Sequence, residues 1–184
     1  DGLLFRGCRT TKANVRDYRG FESPGCEPLA RLGVDIEFAD HIRTPEAEFH
    51  CESQFDSHVS VVHVHPGLEP SLLEAMLESD AAPRGIVLAA YGVGTIPTES
   101  RPLAPVLRRA IDAGTDVLVV TQSSGKIDLG LYENSLTLRD AGAIPGGEML
   151  VEAAVTKLMH ALAAFEERGE RRAYLTRNVA GEFD

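Results

Sequence analysis

Buried strands and amphipathic helices alternate along the chain from residue 58 onward. Runs rich in apolar, β-branched residues occupy Val59–His65, Gly85–Tyr91 and Asp116–Thr121, while helical spacing of apolar residues follows Pro70 and spans Leu103–Ala113. Strands that read as continuous apolar runs are typical of parallel sheets covered on both faces. The order β-α-β-α-β, with right-handed crossovers, predicts an α/β fold: a three-layer α/β/α domain with a mostly parallel sheet of about four strands.

Helical periodicity predicts which faces of these helices are buried. After Pro70, one face carries Leu72, Leu73, Met76 and Leu77. A longer helix is predicted over Glu148–Phe165, with a stripe against the sheet formed by Met149, Ala153, Leu158 and Leu162. The highly charged stretch Glu167–Asn178 is expected to be a solvated surface helix.

The first 57 residues have a different pattern. Leu3–Arg6 and Val34–Ile36 could be strands, but two short strands cannot bury a core of their own. We therefore expect residues 1–38 to be the tail of a larger α/β domain, 39–57 to be a linker and 58–184 to be a small C-terminal domain.

Charge and hydropathy exclude two classes of partner. The 184 residues include 18 Lys and Arg against 28 Asp and Glu, which gives a net charge of −10. An acidic chain repels phosphate backbones, so nucleic acid is not an expected partner. No apolar run approaches the ~20 residues that span a bilayer, and the N-terminus has no signal-peptide pattern, so no membrane partner is expected.

The three cysteines, Cys8, Cys26 and Cys51, match no metal-binding spacing. Reduced thiols in a cytoplasmic protein are the expected state, and a single disulfide is the alternative.

Three motifs resemble ligand loops but lack an essential residue. Gly92–Pro97 has proline where a dinucleotide loop has its third glycine, and Ser123–Lys126 lacks the earlier glycine and the following Ser or Thr of a phosphate loop. His63 and His65 share a strand face, but no third ligand stands nearby in sequence. We therefore expect no cofactor and no metal. Lys12 follows two threonines, and burial would favour a neutral lysine able to assist a hydroxyl nucleophile.

Several collinear motifs carry a resemblance to a known family. Arg6–Lys12, read R-G-C-R-T-T-K, followed by Gly20–Pro24, read G-F-E-S-P, looks like the R-G-N-R-(T/S)-x-K…A-F-x-S-P-N stretch of bacterial-type (cytoplasmic, type I) L-asparaginases. The rest of the chain resembles further motifs of the family in order: Val64–Gly67, Tyr91–Pro97, Thr121–Gly125, Ala141–Leu158 and Leu175–Glu182.

The resemblance implies a two-domain amidohydrolase that converts asparagine and water to aspartate and ammonia. In that family a threonine of an N-terminal T-G-G-T loop attacks the amide, and a second Thr-Asp pair acts with a lysine, which maps onto Lys12. Thr11 resembles a position in an allosteric asparagine pocket. The residues we expect to bind substrate or effector are Thr11, Tyr91, Gly92, Gly94, Thr95, Gln122 and Ser124.

The same resemblance implies particular ligands and partners. L-asparagine or L-aspartate is the expected ligand. The expected assembly is a homo-oligomer or a complex with a chain that carries the N-terminal domain.

The sequence also differs from the family at positions that matter for catalysis and for effector binding. The sequence has no T-G-G-T loop, and its Gly114–Val117 stretch joins a helix end to a strand start, away from the strand ends where α/β sheets place catalytic groups. Ala89 and Thr95 replace an arginine and an asparagine of some members, and alanine cannot supply a guanidinium.

Three hypotheses follow. The chain is the C-terminal part of an L-asparaginase, inactive without its missing domain. Alternatively, it is a stand-alone amino-acid-binding or regulatory domain without catalysis, or a fragment without activity.

Overall fold

The computed structural model describes residues 2–44, 48–99 and 101–183. Its first part is a pair of small antiparallel sheets, ordered β1-β4-β5 and β2-β3. Their strands are β1 (Leu3–Leu4), β2 (Thr11–Lys12), β3 (Phe21–Glu22), β4 (Ala30–Leu32) and β5 (Ile36–Phe38). A short 3₁₀ helix, Gly7–Arg9, precedes β2.

The predicted strands of this part are shifted. The strand expected at Leu3–Arg6 is shorter, and the one expected at Val34–Ile36 begins only at Ile36, because Gly33 donates its backbone N–H to the Asp35 carbonyl at 2.9 Å and closes the turn there. Of the predicted linker, residues 45–47 lie outside the described residues.

The second part is the parallel sheet that the sequence predicts. Its strands run in the order β6 (Val59–His63), β7 (Gly85–Ala90), β8 (Asp116–Thr121) and β9 (Ile144–Pro145), all parallel. The first three agree with the predicted strands, and β9 supplies the fourth. The prediction of a three-layer α/β fold with about four strands is confirmed.

Among residues 2–44, 48–99 and 101–183, five α-helices accompany the sheet: α1 (Pro70–Leu77), α2 (Ala104–Asp112), α3 (Glu133–Ala141), α4 (Val151–Ala164) and α5 (Arg168–Thr176). Alternate residues of each central strand point to opposite faces, so the sheet builds two cores. One contains Leu73, Leu107 and Leu138 from α1–α3, and the other contains Leu158, Leu162 and Leu175 from α4 and α5. No helix within the described residues is both long and apolar enough to cross a membrane.

Two helix predictions need correction, and one helix has no counterpart among the predicted elements. Helix α4 begins at Val151 instead of Glu148, because Gly147 has a φ of +63° and the Met149 N–H donates to the Gly146 carbonyl in a turn. Leu72 is 64% exposed although it was placed on the buried face of α1. Helix α3 was not predicted.

Helix α5 was expected to be solvated, but one side of it is buried. Leu175 joins the second core, and Arg171 pairs with the fully buried carboxylate of Asp116 at the start of β8. The many charged residues of this stretch suggested full exposure, but one of them, Arg171, is buried. Its burial is possible because it donates to the Asp116 carboxylate, 55 residues away in sequence.

Gly146 provides a test of this packing. A Cβ at residue 146 would lie 2.6 Å from the Val119 carbonyl oxygen of β8, so Gly146→Ala should push the strands apart and destabilise the chain by about 1–3 kcal/mol in urea unfolding. The matched control is Gly169→Ala in α5, where no atom lies within 4 Å of the new Cβ; it should stabilise by about 0.4–1 kcal/mol. Equal effects of the two substitutions would contradict this account.

Candidate functional site

A cleft of about 680 Å³ opens where the carboxyl ends of β6 and β8 meet the N-terminal part of the chain. We call it the polar cleft. His63 and Thr121 end the two strands at its floor, and Gln122–Gly125 forms one wall. The opposite wall comes from Thr11 and from residues 148–152 before and within the first turn of α4. Carboxyl ends of parallel strands are where open α/β sheets bind ligands.

Arg9 anchors the N-terminal part beside this cleft. Its guanidinium is 1% exposed and donates to the Glu148 carboxylate at 3.1 Å, the Gly25 carbonyl at 3.1 Å and the Glu182 carbonyl at 3.2 Å. The Arg9 carbonyl in turn accepts a hydrogen bond from the Ser23 hydroxyl at 2.7 Å. Burial of a guanidinium is tolerated when several acceptors replace its water, and here three do so.

Thr11 is one of the sequence-predicted residues that line the polar cleft. Its hydroxyl donates to Glu152 Oε1 at 2.6 Å, which joins strand β2 to the first turn of α4. The contact brings together two of the motifs on which the resemblance rests, although their residues are 141 positions apart.

Gln122 and Ser124 lie on the wall across from Thr11. The side-chain amide of Gln122 donates to the Val64 and Ala89 carbonyls, both at 2.7 Å, so its nitrogen fixes the loop to β7 and to the residue that follows β6. Ser124 is exposed and lines the cleft. The structure therefore brings three predicted residues together: Thr11, Gln122 and Ser124.

The remaining predicted turn, Tyr91–Thr95, does not line the polar cleft. The Gly94 and Thr95 N–H groups both donate to the Tyr91 carbonyl, and the hydroxyl of Tyr91 is buried without a hydrogen-bond partner among the described residues. Gly92 has a φ of +47°, and Gly94 combines a φ of +117° with an approach to Leu129 that leaves no room for a Cβ. These glycines close a turn at the carboxyl end of β7.

Lys12 faces away from the polar cleft. Adjacent residues of a strand point to opposite sides, so Thr11 meets α4 while Lys12 enters a separate open groove that includes Leu3, Phe5 and Phe21. Its Nζ lies 4.5 Å from the centroid of the Phe21 ring. Lys12 is exposed, so the burial that would favour a neutral lysine is not provided by the described part of this chain.

Position 89, where some members of the resembled family carry arginine, is fully buried. Ala89 packs in the second core, and its carbonyl accepts hydrogen bonds from the Val64 N–H and from Gln122. The Ala89 methyl group packs within this core and does not line the polar cleft.

Sequence reasoning also missed a buried ion pair beside the Arg9 anchor, between Lys157 of α4 and Glu182 near the C-terminus. Lys157 also donates to the Arg177 carbonyl at 2.6 Å, and Glu182 accepts from the Ala180 N–H at 2.6 Å. Arg9 donates to the backbone carbonyl of Glu182, so the ion pair and the hydrogen bonds of Arg9 form one connected network. Both residues stand within motifs of the resemblance, which is the only signal that could have found them.

Burial shifts the titration of this pair. Desolvation lowers the pKa of Lys157, although the carboxylate of Glu182 opposes that shift. Desolvation by itself would raise the pKa of Glu182, but hydrogen bonds from Lys157 and from backbone N–H groups outweigh it, so the pKa of Glu182 lies below its usual 4.5.

The polar cleft is lined by hydroxyl groups, the side-chain amide of Gln122 and carboxylates, and these groups suit a small polar ligand. The described residues contain no group of three or more His, Cys, Asp or Glu side chains that could hold a metal ion. Cys8, Cys26 and Cys51 are free thiols, so the alternative of a disulfide is not realised.

Comparison with known proteins identifies the family. Residues 58–175 match the glutaminase/asparaginase C-terminal domain. L-asparaginase 1 of Escherichia coli is 33% identical over 97% of this chain and 53% of its own length. A glutamyl-tRNA(Gln) amidotransferase polypeptide of Methanopyrus kandleri is 31% identical over 99% of this chain and 41% of its own length.

The fold agrees with this match. The solved thermostable L-asparaginase of Thermococcus kodakarensis superposes on the whole chain with a TM-score of 0.93 at 32% identity, and the chain covers 55% of it. The α/β layers and the cleft therefore define a domain of the asparaginase type. The chain belongs to the glutaminase/asparaginase C-terminal domain family, as the resemblance indicated, and spans about half the length of the L-asparaginases named here.

The anchor provides a second prediction. Arg9→Met removes the charge while keeping an extended side chain, so Glu148 loses a buried cationic partner and the Gly25 and Glu182 carbonyls lose a donor. We expect a loss of about 3–5 kcal/mol in the free energy of unfolding, measured in urea. The exposed Arg31→Met should change it by no more than about 0.5 kcal/mol. A loss below about 1 kcal/mol for Arg9→Met would refute the anchor.

The third prediction concerns pH. Since the folded state lowers the pKa of Glu182, the unfolded chain binds that proton more tightly, and the stabilisation is complete above about pH 4.5 and is lost as the pH falls further. Glu182→Gln should be less stable at pH 7 and should lose less stability between pH 5 and 3 than the original chain. Urea unfolding across this range measures the difference, and parallel curves would contradict it.

Proposed function

We propose that this chain supplies the C-terminal portion and the lysine of an L-asparaginase, an amidohydrolase that converts asparagine and water to aspartate and ammonia. The observation that carries the proposal is the placement of Lys12 within the R-G-C-R-T-T-K motif. On one side of the β2–β3 hairpin, the Thr11–Glu152 hydrogen bond attaches it to α4. On the other side, Lys12 lies on an open surface. The L-asparaginases named above support the proposal, because they extend over nearly twice the length of this chain.

The reaction requires groups that another portion of polypeptide has to provide. A hydroxyl nucleophile attacks the amide carbon, its proton passes to a base, and the leaving nitrogen departs as ammonia after taking up a proton; water then cleaves the acyl intermediate. Of these groups, Lys12 is the one that this chain contributes. Covering Lys12 with a second surface would desolvate it and favour the neutral amine that can accept the hydroxyl proton.

The polar cleft has a separate role in this proposal. Its walls carry Thr11, Gln122 and Ser124, and we assign it the binding of L-asparagine or L-aspartate as an effector. The turn Tyr91–Thr95 lies outside the cleft, and we assign it to contacts with a neighbouring subunit in a homo-oligomer. The free thiols fit a cytoplasmic protein.

The fourth prediction tests the lysine. The chain should be combined with the N-terminal portion of the T. kodakarensis L-asparaginase, and ammonia release from L-asparagine should be measured. Lys12→Ala should lower the rate by about 10²–10⁴-fold, the usual contribution of a positioned acid or base. Lys126→Ala, which removes another exposed lysine, should leave the rate unchanged.

Two outcomes would contradict the proposal. Ammonia release by the chain alone, abolished by Lys12→Ala, would show that no second portion is needed. Heat released on binding L-asparagine or L-aspartate, with no ammonia under any combination, would favour the alternative of an amino-acid-binding domain without catalysis.

A further inference from the structure

Another cavity lies between α4 and α5, apart from the polar cleft. Its volume is about 530 Å³, and it shares no lining residue with the polar cleft. The segments 50–55 and 177–182 contribute to its walls. One face of α4 lines it, because positions three and four apart lie on the same side of a helix: Ala153, Thr156, Lys157 and His160. We call this cavity the aromatic pocket.

A cluster of four rings lines the aromatic pocket. The His160 ring packs against Phe55 and Tyr174, with centroids 5.8 and 5.3 Å apart, and Phe165 packs against Tyr174 at 5.2 Å. Desolvation by burial raises the pKa of Tyr174, as expected for a ring with little water around it. Cavities of about 300–1,000 Å³ with apolar and aromatic walls and few polar groups are typical of small-molecule sites. The size and the lining therefore suit a ligand built on one aromatic ring.

The charges around the aromatic pocket favour an anion over a cation. Lys157 Nζ lies 5.5 Å and the guanidinium carbon of Arg177 lies 6.0 Å from the centroid of the Tyr174 ring. Two cations already interact with this ring, and both would repel a third. Lys157 is paired with Glu182, whereas no carboxylate of the described residues forms an ion pair with the exposed Arg177. The Arg177 guanidinium is therefore available to an anionic group of a ligand.

The Glu52 carboxylate also lines the aromatic pocket, but two imidazoles offset its charge. It accepts a hydrogen bond from His50 Nε2 at 2.9 Å, and His160 Nε2 lies 3.7 Å from its other oxygen. Because an ionised carboxylate only accepts hydrogen bonds, it favours a proton on the imidazole nitrogen that faces it. In the neutral His160 ring, the proton is therefore expected on Nε2.

The other nitrogen of His160 has a hydrogen-bonding capacity that the described residues do not use. Nδ1 is buried and has no hydrogen-bond partner among them. With the proton on Nε2, Nδ1 is an acceptor. Buried polar atoms are normally paired, so a hydroxyl group of a ligand in the pocket would supply the missing donor.

We propose that the aromatic pocket binds a small aromatic carboxylate whose ring carries a hydroxyl group. The ligand ring packs against Tyr174, its carboxylate pairs with Arg177 and its hydroxyl donates to His160 Nδ1. The His160 ring and the Arg177 guanidinium lie 5.3 and 6.0 Å from the centroid of the same Tyr174 ring, so a molecule of one ring can reach both. The site is independent of the function proposed above, because it uses neither Lys12 nor the polar cleft.

A series of matched probes tests the chemistry of the ligand by titration calorimetry on the full chain at pH 7. The probe 4-hydroxybenzoate should bind. Its uncharged amide, 4-hydroxybenzamide, should bind at least about tenfold more weakly, because the hydrogen bonds to a charged group are lost. The cation 4-hydroxybenzylamine should bind more weakly still. Benzoate, which lacks the hydroxyl, should bind about fivefold more weakly than 4-hydroxybenzoate, because His160 Nδ1 is again left without a donor.

Two substitutions test the residues that the proposal names. Arg177→Met removes the guanidinium but keeps the backbone carbonyl that accepts from Lys157, and it should weaken the binding of 4-hydroxybenzoate at least about tenfold. The matched control is Arg31→Met, which removes the same charge from an exposed residue outside the pocket and should change binding by less than about twofold. His160→Phe keeps an aromatic ring in the cluster and should abolish the preference for 4-hydroxybenzoate over benzoate.

Several results would overturn the proposal. These are no binding of 4-hydroxybenzoate at about 10 mM, binding of the amide or the amine as tight as that of the acid, and unchanged binding by Arg177→Met. Competition between 4-hydroxybenzoate and L-asparagine would place the probe in the polar cleft and would also overturn it. If His160→Phe does not fold, the probe series and Arg177→Met decide the question. Binding of 4-hydroxybenzoate without ammonia release in any combination would refute the proposed function and leave the aromatic pocket standing.

Discussion

The structure depends on a buried network of charges that connects its two ends. Arg9 from the N-terminal part donates to the carbonyl of Glu182 near the C-terminus, and the carboxylate of Glu182 pairs with Lys157 in the middle of α4. Buried charges are costly to desolvate and become stable only when all of their partners are in place. The small N-terminal sheets, which cannot form a core alone, therefore have a defined position on the parallel-sheet domain.

That fixed position gives the β2–β3 hairpin two different surroundings. Thr11 is held against Glu152 and contributes to the polar cleft, while Lys12, the next residue, points into an open groove beside Phe21. The two-residue period of a strand is sufficient to place two neighbouring residues of one hairpin in different surroundings. Within our proposal, this arrangement explains how one short motif can serve an effector site on this chain and a reaction that takes place at its boundary.

The same two-residue period organises both kinds of sheet in the structure. Both faces of the parallel sheet are buried under helices. The adjacent residues Leu118 and Val119 of β8, for example, belong to the second and the first core, respectively. The N-terminal sheet instead leaves Leu32, Ile36 and Phe38 more than half exposed within the described residues, and Phe38, at 67%, is the most exposed of the three. The contrast is one of coverage: helices lie on both faces of the parallel sheet, whereas the small N-terminal sheet is largely open within the described residues.

The sequence by itself determined the elements whose signals are local. Continuous apolar runs predicted β7 and β8 almost to the residue, and the order of motifs indicated the family, because strand burial and motif spacing are both properties of the local sequence. Only the tertiary structure decided that Thr11 meets Glu152, that Lys157 meets Glu182 and that α5 is partly buried. These features depend on contacts between residues distant in sequence. In the sequence alone, polar and charged residues of this kind predict an exposed surface, because the partner that allows their burial belongs to another element.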